Sequence, residues 1–149
     1  MSAFKVVHEL HPRFRDTDAM GHINNAAYVT YLEVARQAYW RRLTGGADYR
    51  RVPFTLARVA IDFRAEAHVN DILLLAIRCD WIGEKSFAFV YEIRHQESGA
   101  LLVEAKSVQV CYDYDQKRSR AVPEDLRRTL ERFEGRTLAR ESHRPIGGT

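Results

Sequence analysis

Residues 13–36 have the sequence RFRDTDAMGHINNAAYVTYLEVAR, in which a dense polar loop leads directly into an apolar segment. Two carboxylates, Asp16 and Asp18, stand there with an imidazole, two amides and a glycine. The structural explanation is that Asp18 or Asn24 caps a helix and that Gly21 makes a turn. The functional explanation is that these groups form a site at the start of the helix.

A carboxylate at the mouth of a helix has a clear chemical use. Asp18 can approach a ligand there, while the unpaired N–H groups of the first helical turn can stabilise a carbonyl oxygen as it becomes negative. A carboxylate and an oxyanion hole are sufficient for hydrolysis of an acyl group. The residues by themselves leave this explanation and the structural one equally open.

The segment that follows the loop predicts a long, buried helix. Residues 25–43 contain no Gly or Pro and precede Gly45. Apolar residues recur in them at three- and four-residue steps, namely Leu32, Ala35, Tyr39 and Leu43. The other faces are also rather apolar, so we expect most of the helix circumference to be buried.

Strand-like alternation of apolar and polar residues appears in four segments after this helix. They are residues 59–64, 73–81, 86–94 and 101–112. The connections near Gly83 and Gly99 are too short for parallel crossovers, so the strands they join form an antiparallel meander. A first strand from Phe4 to about Phe14 and a short helix from Pro123 to Glu134 complete the order.

This order predicts an α+β fold in which a curved antiparallel sheet wraps around one long central helix. Such a small sheet leaves edge strands exposed. Because exposed edges are usually paired or covered, we expect a homodimer that continues the sheet, or a homotetramer made of two such dimers.

Length and composition set the remaining bounds. A chain of 149 residues has the size of one domain, and we expect that domain to span 1–149 with a core at about 4–134 and a mobile tail at 135–149. No long apolar run and no signal-peptide pattern is present, so we expect a cytoplasmic protein without a membrane partner. The net charge of +3 comes largely from arginines mixed with acidic residues, so nucleic acid is not an expected partner.

Metal and disulfide chemistry are not indicated. Cys79 and Cys111 lie in alternating apolar segments rather than in a CxxC pair, which predicts reduced, packed thiols. His8 and His11 fall on opposite faces of the predicted first strand and make a poor pair of metal ligands. We therefore predict no metal site.

The polar loop also carries a family resemblance. The motif D-x-D-x-x-G-H-I-N-N-x-x-Y at 16–28, followed by L-E-x-A-R at 32–36, resembles the signature of the 4-hydroxybenzoyl-CoA thioesterase-like family of hot-dog proteins. Residues 83–86 resemble the family's turn between two central strands, and residues 122–127 resemble its approach to the last helix. The resemblance implies a hot-dog fold, oligomers built on a dimer whose subunits share active sites, and acyl-CoA hydrolysis without metal or organic cofactor.

The same resemblance implies roles for individual residues. Asp18 matches the family's catalytic aspartate, which either attacks the thioester carbonyl or activates water. Asn25 matches the position whose backbone N–H polarises the carbonyl, and Gly21 lets the backbone pass close to the thioester. His22 falls where related plant acyl-carrier-protein thioesterases have a catalytic histidine, but Met20 stands where those enzymes have an asparagine. His22 is therefore either a residue that lines or orients the site or a structural histidine.

Two more residues are candidates for substrate binding. Lys85 lies on a turn near strand ends, where it is placed to meet the phosphates of coenzyme A, and Tyr28 is placed to line an acyl tunnel. The alternatives are a solvated lysine and a core tyrosine. The expected substrate is a fatty or aromatic acyl-CoA. The other functions left open are an acyl-carrier-protein thioesterase and a non-catalytic protein that binds acyl thioesters.

Overall fold

The computed structural model describes residues 3–46 and 54–140. The elements are β1 (Val6–Leu10), a 3-10 turn (Phe14–Asp16), α1 (Asn25–Thr44), β2 (Phe54–Phe63), β3 (Leu73–Ile82), β4 (Ser86–His95), β5 (Leu101–Asp113), β6 (Arg118–Ser119) and α2 (Glu124–Glu134). The expected order of strand, long helix, four strands and short helix is confirmed. The two-residue β6 and the 3-10 turn are additions to it.

Helix α1 begins and ends within one residue of its predicted bounds. The Asn24 side chain accepts a hydrogen bond from the Ala26 N–H at 3.0 Å, which is the arrangement of a helix N-cap. Gly45 adopts a φ of 71°, and its N–H donates to the Arg41 carbonyl, which closes the C-terminal end. At about 1.5 Å per residue, the helix is about 30 Å long.

The strands form one antiparallel sheet in the order β1-β3-β4-β5-β2, with β6 beside β5. The predicted meander of β3, β4 and β5 is confirmed, since Ile77 lies opposite Tyr91 and Tyr91 lies opposite Ala105. Strand β2 does not lie beside β3, its successor in the chain. It occupies an edge of the sheet, where it pairs with β5 from Phe54 to Phe63.

The first strand is shorter than the sequence predicts. It ends at Leu10, and Phe14 lies in the 3-10 turn with 84% of its surface exposed. Pro12 has no N–H to donate to a neighbouring strand, which explains why the ladder stops before it. The chain is then free to turn toward the start of α1.

Helix α1 packs against the apolar face of the sheet and forms the centre of the core. Three of the residues in its predicted apolar stripe, Leu32, Ala35 and Tyr39, are each at most 1% exposed. The side chains of β4 that belong to the same core are Phe87, Phe89, Tyr91 and Ile93. The α+β class, with the sheet around one long helix, is therefore confirmed.

Helix α2 and the residues after it cover the part of β3 that β1 leaves unpaired. Glu134 Oε2 accepts the Cys79 N–H at 2.9 Å, and the Leu138 carbonyl accepts the Ile82 N–H at 2.6 Å. Leu138 is 1% exposed, so the packed core extends beyond its predicted end at 134. Residues 141–149, the rest of the predicted mobile tail, lie outside the described residues.

Two smaller expectations concern the cysteines and the membrane. Cys79 and Cys111 are both free and buried, as predicted. Within the described part of the chain, no helix is long and apolar enough to cross a membrane.

Strand β2 leaves one long edge without a partner strand among the described residues. Most of its residues are exposed, whereas those of β3, β4 and β5 are mostly buried or half-buried. Two apolar side chains of β2, Leu56 and Phe63, are 40% and 46% exposed. An open edge with apolar side chains is a surface suited to pairing with another chain.

The central position of α1 generates a stability prediction. Leu32→Ala should lower the free energy of unfolding by about 2–5 kcal/mol, because it leaves a cavity between α1 and the sheet. The exposed Thr30 is the control, and Thr30→Ala should change that free energy by less than about 0.5 kcal/mol. Urea denaturation at matched protein concentration measures both. Equal effects would contradict the packing described for α1.

Candidate active site

The polar loop folds back on itself before α1 begins. Thr17 and Ile23 form an antiparallel bridge, and the Asp18 N–H donates to the His22 carbonyl at 2.8 Å. The Asn24 N–H donates to the Asp16 carbonyl, also at 2.8 Å. We call residues 16–24 the site loop. These bonds hold its two arms side by side, and the second arm leads directly into α1.

The Asp18 carboxylate is fixed through one oxygen. Asp18 Oδ1 accepts the N–H of Met20 at 2.8 Å and the N–H of His22 at 3.1 Å. Oδ2 has no hydrogen-bond partner among the described residues, and the side chain is exposed. The backbone of the site loop therefore orients the carboxylate and leaves Oδ2 available to a ligand.

The first turn of α1 supplies an unpaired donor. Asn24 accepts the Ala26 N–H with its side chain at 3.0 Å and the Ala27 N–H with its carbonyl at 2.9 Å. The Asn25 N–H, the first of the helix, has no acceptor within the described residues. Unpaired N–H groups and the helix dipole make this end partially positive. A carbonyl oxygen that gains negative charge would be stabilised there.

The His22 imidazole lies against the segment that connects β2 to β3. Its Nε2 is 3.4 Å from Glu66 Oε2, and its ring contacts the His68 ring edge to face with centroids 4.7 Å apart. His22 bonds to the Asp18 carboxylate through its backbone N–H, and the described residues show no such bond from its imidazole. Whether His22 lines or orients the site or is a structural histidine stays a prediction.

The connecting segment contains charged residues that the sequence analysis did not single out. The Ile23 N–H donates to the Ala67 carbonyl at 2.8 Å, so this segment pairs with the site loop. Asp71 accepts the His68 N–H at 2.8 Å, and its Oδ1 lies 3.1 Å from His95 Nε2. Burial by itself would raise the pKa of Asp71, but these partners outweigh it and lower that pKa. The signal in the sequence is the density of Glu66, His68 and Asp71 between two predicted strands.

Gly21 is required by the backbone conformation of the site loop. Its φ is 79°, and its N–H donates to the Asp18 carbonyl at 3.1 Å. Residues with a Cβ rarely adopt this conformation. A Cβ at this position would have no atom within 4 Å, so the space beside the turn is open. The predicted close passage of backbone and substrate is compatible with that space.

Tyr28 is part of the core in this single chain. It is 2% exposed, and its ring lies edge to face with the rings of Tyr31 and Phe63, both with centroids 5.6 Å away. Burial, with the carboxylates of Asp71 and Glu66, raises the pKa of Tyr28 to about 12, so its hydroxyl stays protonated at neutral pH. Contact between Tyr28 and an acyl group stays a prediction.

Lys85 lies at the other end of the molecule. The site loop pairs with the segment before β3, whereas Lys85 lies just beyond the other end of this ten-residue strand. At about 3.3 Å per residue, the strand separates them by on the order of 30 Å. Lys85 is exposed, and its carbonyl accepts the Cys111 N–H at 2.8 Å. Asp18, Gly21, His22 and Asn25 come together, and Lys85 of the same chain does not join them.

The described residues offer no metal centre. Within 3–46 and 54–140, no group of three or more His, Cys, Asp and Glu side chains is arranged to hold a metal ion. The predicted absence of a metal and of a cofactor stays a prediction.

Comparison with known proteins identifies a family. Residues 12–130 match the sequence profile of a family described as the thioesterase-like superfamily. The match includes the site loop, α1 and all strands except β1.

Individual relatives agree with the profile. The chain is 26% identical over 121 residues to the long-chain acyl-CoA thioesterase FadM of Escherichia coli, which covers 78% of this chain and 89% of FadM. It is 28% identical over 116 residues to the acyl-CoA thioester hydrolase YbgC of Escherichia coli, with 76% and 86% covered. A Thermus thermophilus thioesterase complexed with coenzyme A and Zn superposes with a TM-score of 0.84 at 28% identity, with 93% and 100% covered. The predicted hot-dog fold is therefore confirmed.

The positive φ of Gly21 generates the second prediction. Gly21→Ala should cost about 1–2 kcal/mol of stability and lower acyl-CoA turnover, because the open space excludes a clash and leaves backbone strain as the cause. Gly21→Asn should lose less stability and less turnover, since Asn tolerates this conformation better. Urea denaturation and thiol release measure the two effects. Larger losses for Asn than for Ala would indicate that side-chain size, and not backbone conformation, is limiting.

Proposed function

The chain belongs to the thioesterase-like superfamily, and from this premise we propose that it is an acyl-CoA thioesterase. It hydrolyses the thioester of a fatty or aromatic acyl-CoA to the free acid and coenzyme A. Asp18 is the catalytic carboxylate, and the Asn25 N–H is the donor that stabilises the oxyanion.

One observation carries this proposal. Among the described residues, Asp18 has a carboxylate oxygen without a partner in the loop that leads into α1, and the first N–H of that helix has no acceptor; hydrogen bonds join the two arms of this loop. A structural cap needs neither feature, because Asn24 already caps the helix with its side chain and carbonyl. The structural explanation for Asp18 is thereby weakened.

The groups support hydrolysis by either of two routes. As a general base, Asp18 Oδ2 takes a proton from water while the water oxygen attacks the thioester carbon. The carbonyl oxygen becomes an oxyanion at the Asn25 N–H. When the C–S bond breaks, the C=O bond re-forms and the Asp18 proton passes to the sulfur of coenzyme A. As a nucleophile, Oδ2 attacks the carbon directly, expels the thiolate and forms an anhydride that water hydrolyses.

Coenzyme A esters are the favoured substrates. FadM is named a long-chain acyl-CoA thioesterase, and YbgC is named an acyl-CoA thioester hydrolase. The Thermus thermophilus thioesterase is described as complexed with coenzyme A. These names support a coenzyme A ester for this chain over an acyl-carrier-protein ester, which is the alternative substrate class.

The proposed enzyme is a homodimer joined through β2, or a pair of such dimers. Antiparallel pairing of β2 with a second copy would bring the Phe54 end of one strand beside the Phe63 end of the other. Phe63 contacts Tyr28 near the start of α1, and Phe54 lies opposite Cys111, whose N–H is bonded to Lys85. A second copy would therefore bring its Lys85 toward the active site that Lys85 cannot reach in its own chain.

Asp18→Asn tests the catalytic role. This variant should lower the turnover of the best acyl-CoA by about 10² to 10⁴-fold, because the amide cannot accept a proton or attack the thioester. Its melting temperature and its mass in solution should match those of the parent. Release of coenzyme A thiol from a panel of acyl-CoAs measures the rate.

The control is Asp125→Asn, an equally conservative change at an exposed residue in the first turn of α2. It should leave turnover unchanged. If Asp18→Asn instead retains turnover within a few-fold of the parent, Asp18 is not catalytic. A protein that binds acyl-CoA without hydrolysing it would favour the binding-protein alternative.

The dimer prediction has two measurements. Light scattering at micromolar concentration should show no monomer, and an active monomer would contradict the proposal. Mixed dimers of an Asp18→Asn chain and a Lys85→Ala chain then locate the action of Lys85. If Lys85 acts across the interface, their active sites keep the KM of the parent. If the mixed dimers instead show the raised KM of the Lys85→Ala homodimer, Lys85 acts within its own chain.

A further inference from the structure

Asp16 lies two residues before Asp18, and its carboxylate is directed into the protein. Asp16 is half-buried, whereas Asp18 is exposed. Asp16 Oδ2 accepts the Tyr31 hydroxyl at 2.8 Å and the Arg13 N–H at 3.0 Å. Its Oδ1 lies 3.4 Å from the Arg13 guanidinium, and its carbonyl accepts the Asn24 N–H at 2.8 Å. Asp16 therefore joins both arms of the site loop to α1.

Tyr31 is the fixed end of this connection. It lies in the second turn of α1, six residues after Asn25, and is 3% exposed. Its ring packs edge to face against the Tyr28 ring. Because the core holds the Tyr31 ring, its hydroxyl has a fixed position relative to α1. The hydrogen bond therefore fixes the Asp16 carboxylate relative to the same helix.

Both groups stay in the protonation states that this bond needs. Burial by itself would raise the pKa of Asp16, but the hydrogen bonds from Arg13 and Tyr31 outweigh it, so the pKa of Asp16 is lowered. Burial raises the pKa of Tyr31, and the Asp16 carboxylate raises it further. At neutral pH, Tyr31 is therefore a donor and Asp16 is a charged acceptor, which makes a strong hydrogen bond.

We propose that the hydrogen bond between Tyr31 and Asp16 is a positioning contact that sets the distance from the Asp18 carboxylate to the Asn25 N–H. The proposal rests on the function proposed above. Asp18 follows Asp16 by two residues, and Asn25 is six residues before Tyr31 on a rigid helix. Neither Asp16 nor Tyr31 reacts with the substrate. Loss of the contact would let the site loop shift relative to α1, and small shifts of reacting groups are costly in rate.

The same helix contains a matched control. The Tyr39 hydroxyl donates to Glu134 Oε2 at 2.7 Å, which is also a bond from a buried tyrosine of α1 to a carboxylate. Tyr39 lies eight residues after Tyr31, away from the site loop, and Glu134 is the last residue of α2. Tyr31→Phe and Tyr39→Phe each remove one hydroxyl and one hydrogen bond from the same element. Only the first should affect catalysis.

The test compares kcat, KM and melting temperature in these variants. Tyr31→Phe should lower kcat by about 5- to 100-fold with little change in KM, because positioning matters most when the oxyanion forms. Tyr31→Phe and Tyr39→Phe should lower the melting temperature by similar amounts, because each loses one hydrogen bond. Tyr39→Phe should leave kcat at the parent value. Asp16→Ala should lower kcat at least as much as Tyr31→Phe, and adding Tyr31→Phe to it should lower kcat no further, because the contact is already removed.

Hydrogen exchange separates this proposal from the proposed function. The N–H groups of Asp18 and Asn24 are bonded within the site loop, so Tyr31→Phe should speed exchange in peptides covering residues 17–24, and Tyr39→Phe should not. If Tyr31→Phe speeds exchange but the parent chain hydrolyses no acyl-CoA, the proposed function is wrong, whereas the contact still holds the site loop against α1. Unchanged exchange, or equal kcat in the two Tyr→Phe variants, would overturn the positioning role.

Discussion

Within residues 3–46 and 54–140, the N–H groups at the start of α1 outnumber their acceptors, and the candidate site lies around that imbalance. Every helix begins with N–H groups that its own turns cannot pair. Asn24 accepts those of Ala26 and Ala27, and no described residue accepts the Asn25 N–H. In a connection with only a structural task, such a group would face water. Here the site loop that leads into the helix contains a carboxylate with an oxygen unpaired among the described residues, and these are the two groups that the proposed thioester hydrolysis would use.

The rest of the fold serves to keep that end of the helix in place. A sheet around α1 fixes its position through buried side chains, and the antiparallel order leaves β2 at an edge. The two ends of the sheet then have different tasks. One end holds the site loop through the segment before β3, and the other end displays Lys85 some 30 Å away along the strand. A site of the proposed kind, which draws on both ends, would need a second copy of the chain, and the open edge of β2 is where such a copy would pair.

Those features of the fold that depend on periodicity could be predicted from the sequence. The bounds of α1 and the antiparallel meander follow from spacing of apolar residues and from short connections, both of which are local signals. The placement of β2 beside β5 could not be predicted in this way, because strand order depends on contacts between distant residues. The early end of β1 has a local signal in Pro12, which outweighs the alternation around it.

The candidate site likewise combines features with a local sequence signal and features that depend on contacts between distant residues. Asp18, Gly21 and Asn25 lie close together in the sequence, and their residue types suggest their chemistry. Asp16 and Tyr31 are separated by fifteen residues, and only the turn of the chain brings carboxylate and hydroxyl together. The contacts of His22 with Glu66 and His68 likewise depend on a segment from the far side of β2.

A crystal structure of the Asp18→Asn enzyme with an intact acyl-CoA bound would locate the thioester relative to both groups. If Asp18 and the Asn25 N–H act as proposed, the thioester oxygen lies about 3 Å from the Asn25 backbone nitrogen, with the carbonyl carbon facing the side chain of residue 18. A thioester bound elsewhere, with the Asn25 N–H facing water, would contradict these roles.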